Sequence, residues 1–196
     1  MSDLTFDPVA HQYFLKGLPI PSVSEIIRPL VDYSAVPERQ LELARDRGTA
    51  VHLACHLDDE GRLDEASVDA DHVLPRLNAW RAFKREARVD VIVSETPMHS
   101  GLGFAGTPDR LVEMDWQGRR CFAVIDIKTT AKLMPAVGVQ LAGYHRLLSE
   151  FTGESPQRCF AVRLAATGEH QVREYPLELP TFLSLLNVWN WRARHA

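Results

Sequence analysis

Cysteine is scarce in this chain and poorly placed for bonding. Cys55, Cys121 and Cys159 are widely separated, odd in number and lack any CxxC spacing. That excludes a disulfide framework and a cysteine-ligated zinc or iron–sulfur centre, and a reduced, cytoplasmic setting is expected. Long apolar runs are missing too: none approaches a bilayer span, and Met1-Ser2-Asp3-Leu4 opens neither a basic nor an apolar leader segment. No membrane association is expected. Repeats, low-complexity tracts and Ser/Gly-rich linkers are absent, so the 196 residues are expected to form one domain. Its parts are an N-terminal hairpin with helices over 1–88, a core over 89–150, and C-terminal strands with a helix over 151–196. Positive charge is also in deficit, with 22 Lys and Arg against 26 Asp and Glu and a net charge of -4. Nucleic-acid binders usually carry a basic footprint, which makes this a mild argument against such a partner. Carboxylates that hold a metal are not free to repel phosphate, however, so local charge matters more than the total.

What is present reads as a soluble α/β chain, with 45% hydrophobic and 24% charged residues. Residues 4–20 form a hairpin-like start, with Asp7-Pro8 in one turn and Lys16-Gly17 in another. Pro21-Ser22 opens a short helix through Leu30. A longer helix begins at Pro37, runs to about Leu57 and is closed by Gly61. Another spans about Asp71 to Arg88, with Val73, Leu77, Trp80, Phe83 and Ala87 as its apolar stripe. Strands follow near 89–97, 103–114 and 120–128, turning at Gly101-Leu102-Gly103 and Trp116-Gln117-Gly118. A helix over about 135–151, strands near 158–165 and 170–177, and a helix from Pro180 complete a central mixed β-sheet flanked by helices.

The chemistry gathers where two of those strands run side by side. If Gln117-Gly118 centres a hairpin, paired residue numbers sum to about 235 and Asp109 lies across from Asp126. If Leu102 centres the preceding one, they sum to about 204 and Glu95 lies across from Asp109. The three acids then form a row, with Lys128 on the face of Asp126 because strand side chains alternate. Val91, Val93, Leu111, Phe122 and Val124 share that face, so it is expected to be buried. Like charges opposed in a sheet destabilise it unless something compensates, and a metal ion is the natural compensation. The plainer alternative is a solvated hairpin face with scattered charge.

Pro108-Asp109 followed by Asp126-Ile127-Lys128 resembles the PD-(D/E)XK nuclease superfamily. Arg47-Gly48-Thr49-Ala50-Val51-His52 is similar to the G-x-x-x-H helix of its RecB-like and phage exonuclease branch, and Gln140-Leu141-Ala142-Gly143-Tyr144 to that branch's Q-x-x-x-Y helix. His11-x-Tyr13 with Pro21-Ser22-Val23-Ser24 is similar to the start of phage members. The resemblance covers about residues 8–150 and implies a restriction-endonuclease-like core that hydrolyses DNA. It implies that Asp109, Asp126, His52 and the carbonyl of Ile127 hold Mg²⁺ or Mn²⁺, and that Lys128 positions or activates the attacking water. It implies that Gln140 and Tyr144 line the centre or touch the substrate, with Glu95 as a third acid. The three cysteines do not fit the four-cysteine iron–sulfur arrangement of some members, so no cluster is expected.

Physical chemistry agrees with that implication. Hard cations prefer carboxylate and carbonyl oxygen, and an imidazole ligand makes Mn²⁺ more acceptable. Lysine adds a compact charge whose pKa can fall on partial burial. The expected activity is a metal-dependent DNA exonuclease of recombination, repair or DNA processing. A recombination protein or further copies of the chain are possible partners. The rivals are a structure-selective or site-specific endonuclease, an inactive nucleic-acid-binding module, and a zinc hydrolase using His52 and His56. Arg81, Lys84, Arg85 and Arg88 form a basic stripe at helical spacing, either solvated or in contact with DNA.

Overall fold

A computed structural model describes residues 3–195; Met1, Ser2 and Ala196, the ends of the span assigned above, lie outside the described residues. Strands β1 (Leu4–Asp7), β2 (Gln12–Leu15) and β3 (Leu18–Ile20) form a small antiparallel sheet. Helix α1 (Val23–Ile27) follows at once. Ser22 caps it by accepting from Glu25 N while the Glu25 carboxylate accepts from Ser22 N, a reciprocal box that fixes the helix start. The helix expected through Leu30 passes into a 3₁₀ turn over Arg28–Leu30, because Pro29 has no N–H to continue an α-helix. Helix α2 (Glu38–Asp59) and helix α3 (Leu74–Glu86) come next.

The central sheet has five strands in the order β10-β9-β8-β7-β4. They are β4 (Asp90–Ser94), β7 (Arg110–Trp116), β8 (Arg119–Lys128), β9 (Arg158–Leu164) and β10 (His170–Tyr175). Only β8 and β9 run parallel, and helix α4 (Ala136–Thr152) makes the crossover between them. Helix α5 (Leu179–Ala193) ends the fold. The architecture is α/β, a mixed sheet flanked by helices.

One face of the sheet packs Leu111, Val124 and Ala161 with Val23 and Ile26 of α1, Leu147 of α4 and Phe182 of α5. The other packs Val112, Ile125 and Val162 with Val51 and Cys55 of α2 and Trp80 and Phe83 of α3. Trp80 and Phe83 are at most 2% exposed, so truncating either to Ala removes about 3–5 kcal/mol. Close approach sets one further constraint. A Cβ on Gly143 would lie 2.7 Å from the Phe182 ring, so only glycine lets α4 and α5 meet there.

The hairpin arithmetic meets two corrections. The strand expected over 89–97 ends early, at Ser94, and the one expected over 103–114 is broken in two. β4 gives way to β5 (Met98–Ser100), and β6 (Phe104–Gly106) precedes β7; β5 and β6 pair in a separate two-stranded sheet. Pro97 and Pro108 sit at the breaks, where a residue lacking N–H cannot extend a ladder. The second correction is a bulge between Val91 and Val93, which shifts the β4–β7 register by one. Val91 therefore packs with the α2/α3 core, while Val93, Leu111, Phe122 and Val124 stay with the other.

Candidate metal centre

The register beside the acids is the one the turns imply. Arg110 faces Ile125 and Leu111 faces Val124, which carries Asp109 to the level of Asp126. Ser94 faces Arg110, and Glu95 N donates to Asp109 O at 3.1 Å. Asp109 lies in the bend after Pro108 rather than in a strand. Its carboxylate replaces the missing ladder bond: Ile127 N donates to Asp109 Oδ2 at 2.6 Å. Glu95 occupies the break between β4 and β5 with φ of +44°, uncommon for a side-chain-bearing residue.

From α2, His52 enters this group. Its Nε2 donates to Ile127 O at 3.1 Å, while Nδ1 lies 3.4 Å from both Glu95 Oε1 and Asp109 Oδ1. Gly48 lies one turn before His52, facing Thr129, where a Cβ would make an ordinary 3.7 Å contact with Thr129 Oγ1. Asp126 is 1% exposed. Lys128 Nζ stands 2.7 Å from Asp126 Oδ2 but off hydrogen-bond geometry, so this buried oxygen has an ion-pair partner and no hydrogen-bond donor. The lysine instead donates to Gln140 Oε1 at 2.9 Å, and Gln140 Nε2 donates to Tyr144 Oη at 3.1 Å. Gly106 makes room for that tyrosine, because a Cβ there would meet the Tyr144 ring at 3.2 Å.

One cavity of about 560 Å³ is lined by His52, Glu95, Asp109, Asp126, Lys128, Gln140 and Tyr144. All the residues singled out in the sequence thus meet at one place, with Ile127 present through its carbonyl. Among the described residues, His52, Glu95 and Asp109 are the group whose ligand atoms converge, all within 4.8 Å of one another. Asp126 stands beside that triple, held by Lys128. The donor set is hard oxygen plus one imidazole, which suits Mg²⁺ or Mn²⁺.

Electrostatics point the same way. Burial would lower the His52 pKa, but Asp109 and Glu95 outweigh it and raise it to about 10. Burial and the nearby Asp109 charge push Asp126 up to about 6, against the pull of Lys128 and His52. Asp109 is held low: burial opposes ionisation, yet His52, Lys128 and the Ile127 N–H prevail. The pocket therefore attracts positive charge and holds protons in its absence. Lys128 corrects one expectation. Burial alone would lower its pKa, but Asp126 and Asp109 raise it, so the ammonium persists. Tyr144 is pushed well above its usual range by burial and by Asp109 and Asp126, and remains a hydroxyl donor.

Two other sequence readings change. His56 lines the cavity but does not join His52: its Nδ1 lies 2.7 Å from Ser94 Oγ, and Nε2 faces Glu60 at 3.6 Å. A two-histidine zinc site has no support in that arrangement. The basic stripe is mostly turned onto acids of the chain itself. Arg81 pairs with Asp58 and Glu65, Lys84 with Asp58 and Asp59, and Arg88 with Asp115. Meanwhile Arg110 is a contributor that pattern reading missed. Fully buried, it donates to Asp59 Oδ2 at 2.7 Å, Glu95 Oε1 at 3.1 Å and Asp109 O at 2.6 Å. The available signal was an arginine next to Asp109 in a chain carrying an Asp58-Asp59 pair two turns beyond His52.

No protein-family model matches the sequence, and no curated protein matches it. Among solved structures, an alkaline exonuclease from Laribacter hongkongensis is 17% identical, with 89% of this chain and 94% of that one covered and a TM-score of 0.42. The same exonuclease in complex with dAMP is 17% identical, with coverages of 90% and 95% and a TM-score of 0.40. At these identities and TM-scores, neither likeness carries an activity over to this chain. No helix among the described residues is long and apolar enough to cross a membrane.

Proposed function

We propose that this chain is a divalent-metal-dependent deoxyribonuclease of the PD-(D/E)XK type, a single domain acting as an exonuclease. The observation that carries the reading is the convergence of His52, Glu95 and Asp109 ligand atoms, all within 4.8 Å of one another, on a cavity also lined by the buried Asp126 carboxylate. That carboxylate lies beside Asp109, His52 and the Ile127 carbonyl, in a cavity with a persistent ammonium. Asp109, Asp126, His52 and Ile127 O would hold Mg²⁺ or Mn²⁺, with Glu95 as a further acid held by Arg110. A cation there would polarise the phosphodiester and lower the pKa of water at neutral pH. Lys128, fixed by Asp126 and Gln140, keeps its charge where negative charge grows on the phosphate. Gln140 and Tyr144 supply donors on the same wall.

DNA is the proposed partner, in recombination, repair or phage DNA processing. Because the basic stripe is largely neutralised within the chain, a recombination protein or a further copy of this chain is a suitable additional DNA-holding surface. The test is hydrolysis of linear and covalently closed circular DNA with Mg²⁺ or Mn²⁺. Degradation of linear DNA alone is expected. Cutting of closed circles would replace the exonuclease reading with an endonuclease, and hydrolysis of neither form would overturn the nuclease reading.

A further inference from the structure

The mouth of the cavity is walled by aromatic carbon from the N-terminal hairpin. Phe6 on β1 faces Tyr13 on β2, with ring centroids 4.6 Å apart, and His11 stands edge-on to Phe6 at 5.2 Å and 83°. Tyr13 is buried, and its hydroxyl lies 2.7 Å from Thr107 Oγ1. That contact pins the hairpin to the bend carrying Asp109. The turn is stiffened locally, since Asp7 Oδ1 accepts from Val9 N at 2.8 Å and Ala10 N at 3.1 Å.

Core packing does not account for this wall. Phe6 belongs to neither apolar core of the molecule, and His11 is exposed, yet both line the cavity that holds Asp109, Asp126 and Lys128. A phosphodiester enters such a cavity only with its nucleosides attached. The aromatic corner that Phe6 and His11 make on the same cavity as the carboxylates is therefore suited to a nucleobase. Stacking on aromatic side chains is tolerant of sequence because every base has a π-face. A base inside a duplex has both faces occupied by its neighbours and has none to offer.

Building on the nuclease reading above, we propose that Phe6 and His11 form a base-stacking subsite for the unpaired nucleotide flanking the bond to be cut. The substrate is then a single strand, or the single-stranded end of a duplex. Tyr13 acts behind them as a positioning residue, holding the hairpin against Thr107.

The test uses a short oligothymidylate and a series carrying one abasic residue at each position in turn, cut in Mn²⁺ by the wild-type protein, Phe6→Ala and Phe6→Leu. The wild type is expected to slow about tenfold when the missing base lies next to the cleaved bond. Phe6→Ala should cut the intact strand more slowly and lose that dependence on position. Phe6→Leu keeps apolar bulk without a ring, so it serves if the alanine variant does not fold, and the same loss is expected. If the wild type cuts abasic and intact strands equally, or if Phe6→Leu keeps the dependence, the subsite is overturned while the nuclease stands. If the wild type cuts none of these strands and no other DNA, the nuclease reading fails and this inference fails with it.

Discussion

Helix α2 presents charged side chains to two buried clusters, and the two are completed differently. At Asp58 and Asp59 the acids are met by Arg81, Lys84 and Arg110 at 2.5–2.9 Å, and Asp59 also accepts from Trp80 Nε1 at 2.9 Å. Less than two turns earlier on the helix, His52 faces Glu95 and Asp109 in a pocket where an Asp126 oxygen has no hydrogen-bond donor. Burial is similar, since both Asp59 and Asp126 have side chains at most 2% exposed. The difference lies in closure. The first cluster is closed by its own cations, whereas the second opens onto a cavity where the ligand atoms of His52, Glu95 and Asp109 converge. Arg110 donates to both, to Asp59 in the first and to Glu95 and the Asp109 carbonyl in the second.

The sharpest way to break this contrast is to remove the same atom type from each side. Asp126→Asn should lower Mn²⁺-dependent DNA hydrolysis by about 10³-fold or more, the scale of losing several kcal/mol of transition-state stabilisation. Its melting temperature without metal should fall, because the buried Lys128 ammonium loses its ion-pair partner. A variant as active as the wild type would place the cation elsewhere.

Arg110→Met comes next. Removing this buried cation leaves Asp59 with Lys84 and Trp80 alone and strips Glu95 of its guanidinium donor, and should cost about 3–5 kcal/mol in urea unfolding. Activity should fall as well, since Glu95 and the Asp109 backbone lose their common donor. A change below about 1 kcal/mol would show that the two clusters are not linked.

Lys84→Met sharpens the comparison from the other side. A loss of about 1–2 kcal/mol in stability is expected, with the cleavage rate within about twofold of wild type. A large catalytic loss with little unfolding would mean that this cluster too serves the substrate.

The smallest expected effect is the pH dependence of the metal-free protein. Asp126 has a folded pKa raised to about 6, so the folded state holds a proton that the unfolded chain releases near pH 4. Stability should therefore fall as pH rises from about 4 to about 6 through this group. Asp58 behaves oppositely: burial opposes its ionisation, but Arg81 and Lys84 hold its pKa low. Its contribution is present above about pH 4 and lost below. Melting curves in a chelator should show the first slope in wild type and not in Asp126→Asn, and excess Mn²⁺ should abolish it.

Much of the site was legible because short turns fix register. Trp116-Gln117-Gly118 and the Leu102 turn set which residues oppose which, and two adjacent hairpins carry Glu95, Asp109 and Asp126 to one level. Helical spacing did the same for Gln140 and Tyr144. The strand breaks at Glu95-Thr96-Pro97 and Thr107-Pro108-Asp109 were less legible: each is a short polar step between strand-like runs, and the prolines are the main mark of the change of sheet. The bulge that turns Val91 to the other face left no mark in composition. The basic stripe misled because periodicity shows that four cations share a face but not that Asp58, Glu65 and Asp115 come to meet three of them. Arg110 was hidden for a related reason, since its side-chain partners Asp59 and Glu95 lie on α2 and in the break after β4, away from it in sequence.

The most direct test of the central claim is a crystal of the wild-type protein soaked in Mn²⁺ and measured at the manganese absorption edge. The expected result is an anomalous peak bounded by Asp109, Asp126, His52 Nε2 and the Ile127 carbonyl, with Lys128 beside it. A crystal with no peak in that pocket, or with manganese bound only at Asp58 and Asp59, would contradict the assignment.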